Sequence, residues 1–398
     1  MHTPRIIFIK GAVETLEFFS LQLAKSFEAQ GFQTWFWDLK SPLGSREAFE
    51  SLGGYTPSVL LTFNFIGLSG ESQFQSGPCS IWEQYHVKIF CIMVDHPMYY
   101  HRLLEPDIKN LSLICIDRGH QAFVEHYYPK FRNVHFLPLA GTKLPEEPVP
   151  YAMRDIGVIF AGNYVPPENL VPHIRHMDEE SKAFYFDIIH ELAKYPDRPM
   201  EQELIGRLEQ EFPRITREET LSCLHSMVFI DLYVRSLFRR DIICTLAEQG
   251  VPVTVIGKDW EKAGCKCPEN LRLAGQQDSR TCLEYMGHAK IAVNVMPWFK
   301  DGAHDRIFNG MLQGCAVVTD SSAYLDEILC GGKDYVRFQL EQYEEISQKV
   351  DWLFQHPKEA EAIADAGQKK ASLGHTWEHR AYELGEIFRR DEANVPTL

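Results

Sequence analysis

Short apolar runs recur along the first part of the chain, separated by helix-length segments. They are "IIFI" (6–9), "TWFW" (34–37), "SVLLTF" (58–63), "KIFCIMV" (88–94), "LSLICI" (111–116) and "VHFLPL" (134–139). Runs without alternating polar positions suit strands buried on both faces, and hence a parallel sheet covered by helices. Residues 14–29 carry leucine and phenylalanine at helical spacing, and Gly31 follows as a stop signal. Strand, helix, strand is the opening of a βαβ unit. The proline-rich polar stretch 141–155 reads as a linker. Strand-like runs resume with "IGVIFAG" (156–162), "VPVTVIG" (251–257), "NLRLAG" (270–275), "KIAVNVM" (290–296) and "CAVVTD" (315–320). A charged stretch of helical period, about 168–226, interrupts this second series as a helical insertion. The pattern predicts an α/β chain with two doubly wound, Rossmann-like parallel-sheet domains facing across a cleft. The first spans 1–140 and the second 156–375, and an amphipathic helix at 376–398 returns to the first.

Composition narrows the class of partner. Of the 398 residues 45% are hydrophobic and 24% charged, as in ordinary globular proteins. A net charge of −15 argues against a nucleic-acid or anionic-membrane binder, since both need a positive surface. It leaves room for a local basic pocket. The N-terminus "MHTPRIIFIK" reads as a first strand, and no run of apolar residues is long enough to span a membrane. Cys91, Cys115, Cys244 and Cys315 sit in apolar runs, and Cys265 and Cys267 form a close pair without a second pair for zinc. The expectation is a reduced, cytoplasmic protein without a disulfide framework.

One stretch carries chemistry: "DGAHDRIFNGMLQGCAVVTD", residues 301–320. Ile307, Phe308, Met311 and Leu312 fall on one helix face, and Gly314 stands where a left-handed cap is wanted. Residues 301–303 therefore lie in a strand-to-helix loop at the carboxyl end of a buried strand, where open α/β sheets bind ligands. Asp301 opens that loop, and Gly302 and Ala303 remove bulk. Backbone amides and the helix dipole then suit a phosphate, with Arg306 and His304 as further donors. A loop of solvated charges opening an ordinary helix has the same pattern, and the stretch alone leaves both readings open.

"NGMLQGCAVVTD" resembles the donor-binding motif of GT-B glycosyltransferases of family 4, through Met311, Gly314 and "AVVT". The two acid positions of that motif fall on Asp301 and Asn309, so the second is an amide, suited to ribose hydroxyls. The longer form "GAHDRIFNGMLQGCAVVTD" is similar to a bacterial branch of spore-maturation-protein type, which carries a histidine–acid–arginine triplet here. "DIGVIFAGNY", "VTVIGKDW" and "HTWEHRAYELGEIF" fit the same branch; in the first half "MVDHPMYYHRLL" and "CIDRGHQAFVEHYYP" match loosely. The resemblance implies that Gly162 and Asn163 line the loop near the sugar phosphates. It places Arg235 and Arg240 at the separation of the pair that neutralises the leaving diphosphate, although "YVRSLFRRDII" reads as helix. Gly257 and Lys258 would meet the nucleotide base or its phosphates.

Other signatures are missing. There is no Asp-x-Asp, Walker A run, zinc-protease helix, G-x-S-x-G elbow or G-x-G-x-x-G. Metal-independent transfer without a cofactor is expected, with leaving-group charge taken by Arg, Lys and the helix dipole. On the acceptor side Asp95 and His96 follow "KIFCIMV", and Asp117 and His120 follow "LSLICI". All four are candidates for a general base, with structural hydrogen bonding as the plainer alternative. Aromatic runs read first as core packing, with Tyr99 and Tyr100 beside Asp95 and His96 as the alternative pair for stacking on an acceptor. The expected activity is hexosyl transfer from a nucleoside-diphosphate-sugar such as a UDP-sugar to an acceptor hydroxyl on a glycan, lipid-linked glycan or protein. The stereochemical outcome stays open. A nucleotide-sugar epimerase needs no acceptor, and a non-catalytic nucleotide-sugar-binding or assembly protein turns nothing over; both are rivals on the same scaffold.

Overall fold

The unbroken apolar runs become parallel strands in a computed structural model that describes residues 4–52, 58–77, 79–172 and 174–393. The chain divides into two units, Met1–Ala140 with His375–Leu398, and Gly141–Gly374. In unit 1 the strands are β1 (Arg5–Lys10), β2 (Gln33–Asp38), β3 (Ser58–Phe63), β4 (Lys88–Met93), β5 (Leu111–Cys115) and β6 (Val134–Phe136). They form one parallel sheet in the order β2-β1-β3-β4-β5-β6. Ile6, Ile7, Phe8, Leu60, Leu61, Leu113 and Ile114 are fully buried, as both-face coverage requires. Helix α1 (Glu14–Ala29) covers one face. It packs against the terminal helix Trp377–Ala393, where the Phe27 and Phe388 rings stack at 5.9 Å and Phe19 meets Trp377 at 4.7 Å. Residues 394–398 of the expected terminal segment lie outside the described residues.

Unit 2 holds β7 (Ile156–Ala161), β8 (Val253–Ile256), β9 (Leu271–Gly275), β10 (Ala289–Asn294), β11 (Ala316–Thr319) and β12 (Val336–Arg337). Their order is β9-β8-β7-β10-β11-β12, again all parallel. This is the doubly wound order that reverses between its first and fourth strands, so β7 and β10 flank the switch point. The charged stretch folds as three helices, Glu179–Lys194, Met200–Glu211 and Arg217–Ser226, ahead of the long helix α2 (Val228–Glu248). Among the described residues no single helix is long and apolar enough to cross a membrane.

Three expectations change. "TWFW" and "NLRLAG" are not buried on both faces, because β2 and β9 are edge strands. Trp37 is buried but Trp35 and Phe36 are half-exposed, and Leu273 is 45% exposed. "VHFLPL" pairs only over Val134–Phe136, since Pro138 lacks a ladder donor. The stretch 141–155 is no free linker but is built into unit 2. The Arg154 guanidinium is buried and donates to the carbonyls of Val149, Ala289, Gln313 and Gly314. It thereby ties this stretch to β10 and to the turn before β11.

Candidate functional site

At the switch point of unit 2 the chain leaves β7 at Gly162 and leaves β10 into the loop that ends in helix α3 (Asp305–Leu312). Gly162 and the turn after β8 interlock. The Gly162 amide donates to the Ile256 carbonyl (2.8 Å), Lys258 N–H to Asn163 Oδ1 (3.0 Å), and the Trp260 indole to the Gly162 carbonyl (2.7 Å). Gly257 has φ +148°, and a Cβ there would come within 2.2 Å of the Gly162 oxygen, so only glycine fits. Gly162, Asn163, Gly257 and Lys258 are thus brought together.

The loop before α3 is held from β11. Asp320 Oδ1 accepts from Met296 N–H (2.9 Å), Ser322 Oγ donates to the Gly302 carbonyl (2.6 Å), and the Ala323 amide donates to the Lys300 carbonyl (2.8 Å). Burial pushes the Asp320 carboxyl up to about 7, against the lowering effects of the Met296 amide and the Lys300 charge. Ala303 is fully buried and Asp301 half-buried in this loop.

The first turn of α3 differs from expectation. His304 is its N-cap, and Nδ1 accepts from Arg306 N–H at 3.3 Å. The Asp305 carboxylate lies 2.6 Å from His304 Nδ1 and accepts from Asn309 Nδ2 at 2.9 Å. An amide expected to meet phosphate is therefore capped internally, and a carboxylate already answers the helix dipole. Burial, followed by the Arg306 charge, lowers His304 to about 4 despite Asp305, so its ring is neutral at pH 7. Asn309, expected to serve ribose hydroxyls, is committed at both ends, because its Oδ1 accepts from Thr142 N–H at 2.9 Å.

What remains for an anion is a set of guanidinium groups. The Arg306 Nη1 atom is buried, lies 3.4 Å from where a Gly162 Cβ would stand, and has no hydrogen-bond partner. Burial and the neighbouring Arg235 charge both act against the Arg306 cation, and Asp305 supports it. Arg235 is forked onto the fully buried Asp231, with Nε to Oδ1 at 2.7 Å. Arg239, one helical turn later, donates to the Asn163 carbonyl at 3.1 Å and lies close enough to His304 to depress its protonation. Arg240 points elsewhere, to Asp241 at 2.7 Å and to the Tyr164 hydroxyl. The spacing of four between Arg235 and Arg239 was the signal to use, because on a helix positions four apart share a face and positions five apart do not. Arg306, Arg235 and Arg239 thus converge on this end of the sheet, with Asp231 and Asp305 beside them.

The four acceptor-side candidates gather at the carboxyl ends of β4 and β5 in unit 1, away from that sheet's own switch point. His96 is 3% exposed; its Nδ1 accepts from Met98 N–H at 3.1 Å, and its ring stands edge-on to His120 at 4.7 Å and Phe123 at 4.8 Å. Asp117 caps the helix Arg118–Tyr127 by accepting from Gly119 N–H at 2.7 Å. Asp95 accepts from the Tyr100 hydroxyl at 3.2 Å. Tyr100 is buried, with its phenol pushed up by burial and by Asp95, so it is a core residue and not a stacking surface. Among the described residues no group of three or more His, Cys, Asp or Glu is arranged to hold a metal ion.

Residues 235–386 match the glycosyl transferase-like family, a segment that includes the arginines of α2 and the whole of α3. A search of curated proteins finds no match. Solved structures share the fold. A glycosyltransferase from Rickettsia africae aligns at 10% identity over 99% of this chain and all of its own, with a TM-score of 0.57. Sucrose-phosphate synthase from Thermosynechococcus elongatus aligns at 11% over 98% of this chain and all of its own, at 0.55. HepE from Anabaena, in complex with UDP and glucose, aligns at 10% over 97% of this chain and all of its own, at 0.51. The architecture of two parallel-sheet α/β domains is that of the GT-B glycosyltransferases.

Proposed function

We propose that the protein transfers a sugar from a nucleoside-diphosphate-sugar to an acceptor hydroxyl, without a metal ion or cofactor. The observation that carries this reading is the buried, unpartnered Arg306 Nη1 in a cluster of guanidinium groups at the switch point of unit 2. A buried donor without an acceptor costs about 1–3 kcal/mol, which a bound phosphate oxygen returns. In the transfer the bond between the sugar's anomeric carbon and the diphosphate oxygen breaks, and a bond from the acceptor oxygen forms. Negative charge gathers on the departing diphosphate, where Arg306, Arg239 and Arg235 stabilise it as a divalent ion would elsewhere. The Gly162–Asn163 and Gly257–Lys258 turns serve as the backbone wall for the phosphates and base. UDP is the first nucleotide to test, because HepE of the same fold holds it. The His304–Asp305–Arg306 triplet supports a place in the spore-maturation-protein-type branch.

Calorimetry with UDP and UDP-sugars, together with acceptor-dependent release of UDP, tests the reading. UDP is expected to bind, Arg306→Ala to weaken that binding about 100-fold or more, and chelation to leave turnover unchanged. Failure of every nucleoside diphosphate to bind overturns the donor site. Binding with sugar interconversion and no acceptor favours an epimerase instead, and binding without turnover favours a nucleotide-sugar sensor.

A further inference from the structure

Two arginines of α2 end on an acid. Arg235 is forked onto Asp231, and Arg240 pairs with Asp241, its neighbour in sequence, at 2.7 Å. On α3 Asp305 and Arg306 are neighbours of the same kind, and Asp305 is buried. A buried carboxylate beside a guanidinium is its natural partner. The buried Arg306 Nη1 nevertheless has no hydrogen-bond partner. The reason lies on the other side of Asp305, where both carboxylate oxygens are taken. Oδ1 stands 2.6 Å from His304 Nδ1, and Oδ2 accepts from Asn309 Nδ2 at 2.9 Å. We infer that Asn309 is a positioning residue, which holds the Asp305 carboxylate away from Arg306 and so keeps that guanidinium open to a phosphate. This role rests on the donor site proposed above.

An amide is what this post requires. The Thr142 N–H needs an acceptor and the Asp305 carboxylate needs a donor. Asn309 supplies both, with Oδ1 to Thr142 at 2.9 Å and Nδ2 to Asp305. A carboxylate at 309 would serve Thr142 but repel Asp305. The Thr142 side is itself held firmly. A Cβ on Gly141 would come within 2.6 Å of the Phe308 carbonyl carbon, so this stretch lies flush against α3. The Thr142 carbonyl accepts from the buried Gln313 Nε2 at 2.8 Å. With its oxygen fixed on Thr142, the Asn309 amide presents its nitrogen to Asp305. The position that the donor-binding motif fills with an acid thus carries an amide for a reason internal to the protein, and that amide faces Asp305 instead of a ribose.

Asn309→Asp separates the two bonds, since it keeps an acceptor for Thr142 and loses the donor to Asp305. In a ligand-free crystal structure of this variant, Asp305 is expected to turn towards Arg306 and accept from its guanidinium. An Asp305 that keeps its place overturns the proposal, whatever the nucleotide does. Calorimetry on the full chain is expected to give about tenfold weaker UDP binding, with uridine affinity changed less than about twofold, because the lost contact is to phosphate. Equal weakening of UDP and uridine would make Asn309 a ribose contact and overturn the proposal, as would unchanged UDP affinity. Asn309→Asp combined with Asp305→Asn exchanges the donor and the acceptor. The double variant should recover UDP affinity to within about twofold of the natural chain. A change that merely loosens α3 would not be rescued in this way, and failure of the rescue overturns the positioning role. If the natural chain binds no nucleoside diphosphate, the transferase reading falls, while the crystal structure still decides whether Asn309 holds Asp305 away from Arg306.

Discussion

The two units are built to one plan and use it differently. In unit 2 the switch point between β7 and β10 collects a glycine turn, a held loop and guanidinium groups, and the buried Arg306 Nη1 has no hydrogen-bond partner there. In unit 1 the switch point lies between β1 and β3, and it is closed. The Gly11 amide donates to Glu17 Oε2 at 2.8 Å, and the cavity lined by Ile9, Leu16, Thr62 and Ile66 measures only about 10 Å³. That is room for about one water. Unit 1's polar cluster sits two strands along, at β4 and β5, and three of its members have internal duties as caps and acceptors. A parallel sheet supplies the place for a ligand, but the side chains that border its switch point decide whether the place is kept for one.

The largest effect expected from this contrast comes from paired glycines. Gly257→Ala would drive a methyl group into the Gly162 carbonyl at a φ that alanine does not tolerate, costing about 3 kcal/mol or more and deforming the proposed phosphate wall. Gly11→Ala in unit 1 also has positive φ, but its Cβ would meet neighbours no closer than 3.4 Å, so about 1 kcal/mol is expected. Calorimetric unfolding of both variants with and without UDP reads the difference. Equal costs, or retained UDP affinity in Gly257→Ala, would break the comparison.

Acidification should single out unit 2 through His304. Its folded pKa is lowered to about 4 from an ordinary 6.5, so folding excludes a proton. The stability this gives is whole above pH 6.5 and declines as pH falls towards 4, by about 2 kcal/mol once its partial exposure is allowed for. His304→Gln should flatten that part of the stability–pH curve. Bound UDP should raise the imidazole pKa, so that binding takes up protons between pH 4 and 6.5. Proton release on binding in this window would count against a phosphate near His304.

A smaller pair of variants separates binding from folding. Arg239→Ala is expected to weaken UDP binding about tenfold with little change in melting, because it removes one charged donor from a half-exposed position. Asp117→Ala should do the reverse, costing about 1 kcal/mol through the lost cap to Gly119 while leaving UDP affinity within twofold. Tenfold weaker UDP binding in Asp117→Ala would erase the distinction between the two units.

Much of this was legible from the apolar pattern, since strands buried on both faces announce themselves by continuity. The failures have particular causes. "TWFW" and "NLRLAG" look buried from composition, but only the sheet order reveals that they lie at its edges. The arginines of α2 were visible, yet pairing Arg235 with Arg240 borrowed a spacing from a strand end; helical geometry selects Arg239. That His304 and Asp305 would occupy the start of α3 themselves depends on side-chain rotamers, which no motif encodes. Asp320 ends the motif stretch and Ser322 follows it, and neither shows a role in the sequence, because their partners Met296 and Gly302 lie in the loop that leaves the neighbouring strand β10.

Asp320 also provides the finest test of how the unit 2 loop is held. Its carboxyl, raised to about 7 from 3.8, takes up a proton on folding, so its charge costs stability above pH 7 and that cost fades as pH falls towards 4. The direction is opposite to that of His304. Asp320→Asn keeps an oxygen for the Met296 amide and removes the buried charge, while Lys300, itself depressed by burial, loses a neighbouring anion. Those two changes partly offset, so a gain of about 1 kcal/mol at pH 8, vanishing by pH 5, is expected from denaturant titrations. Since the loop's tie to Met296 survives the substitution, UDP affinity should be unchanged at either pH. A loss of affinity at pH 8 with stability intact would mean that the charge of Asp320, beyond its hydrogen bond, shapes the site.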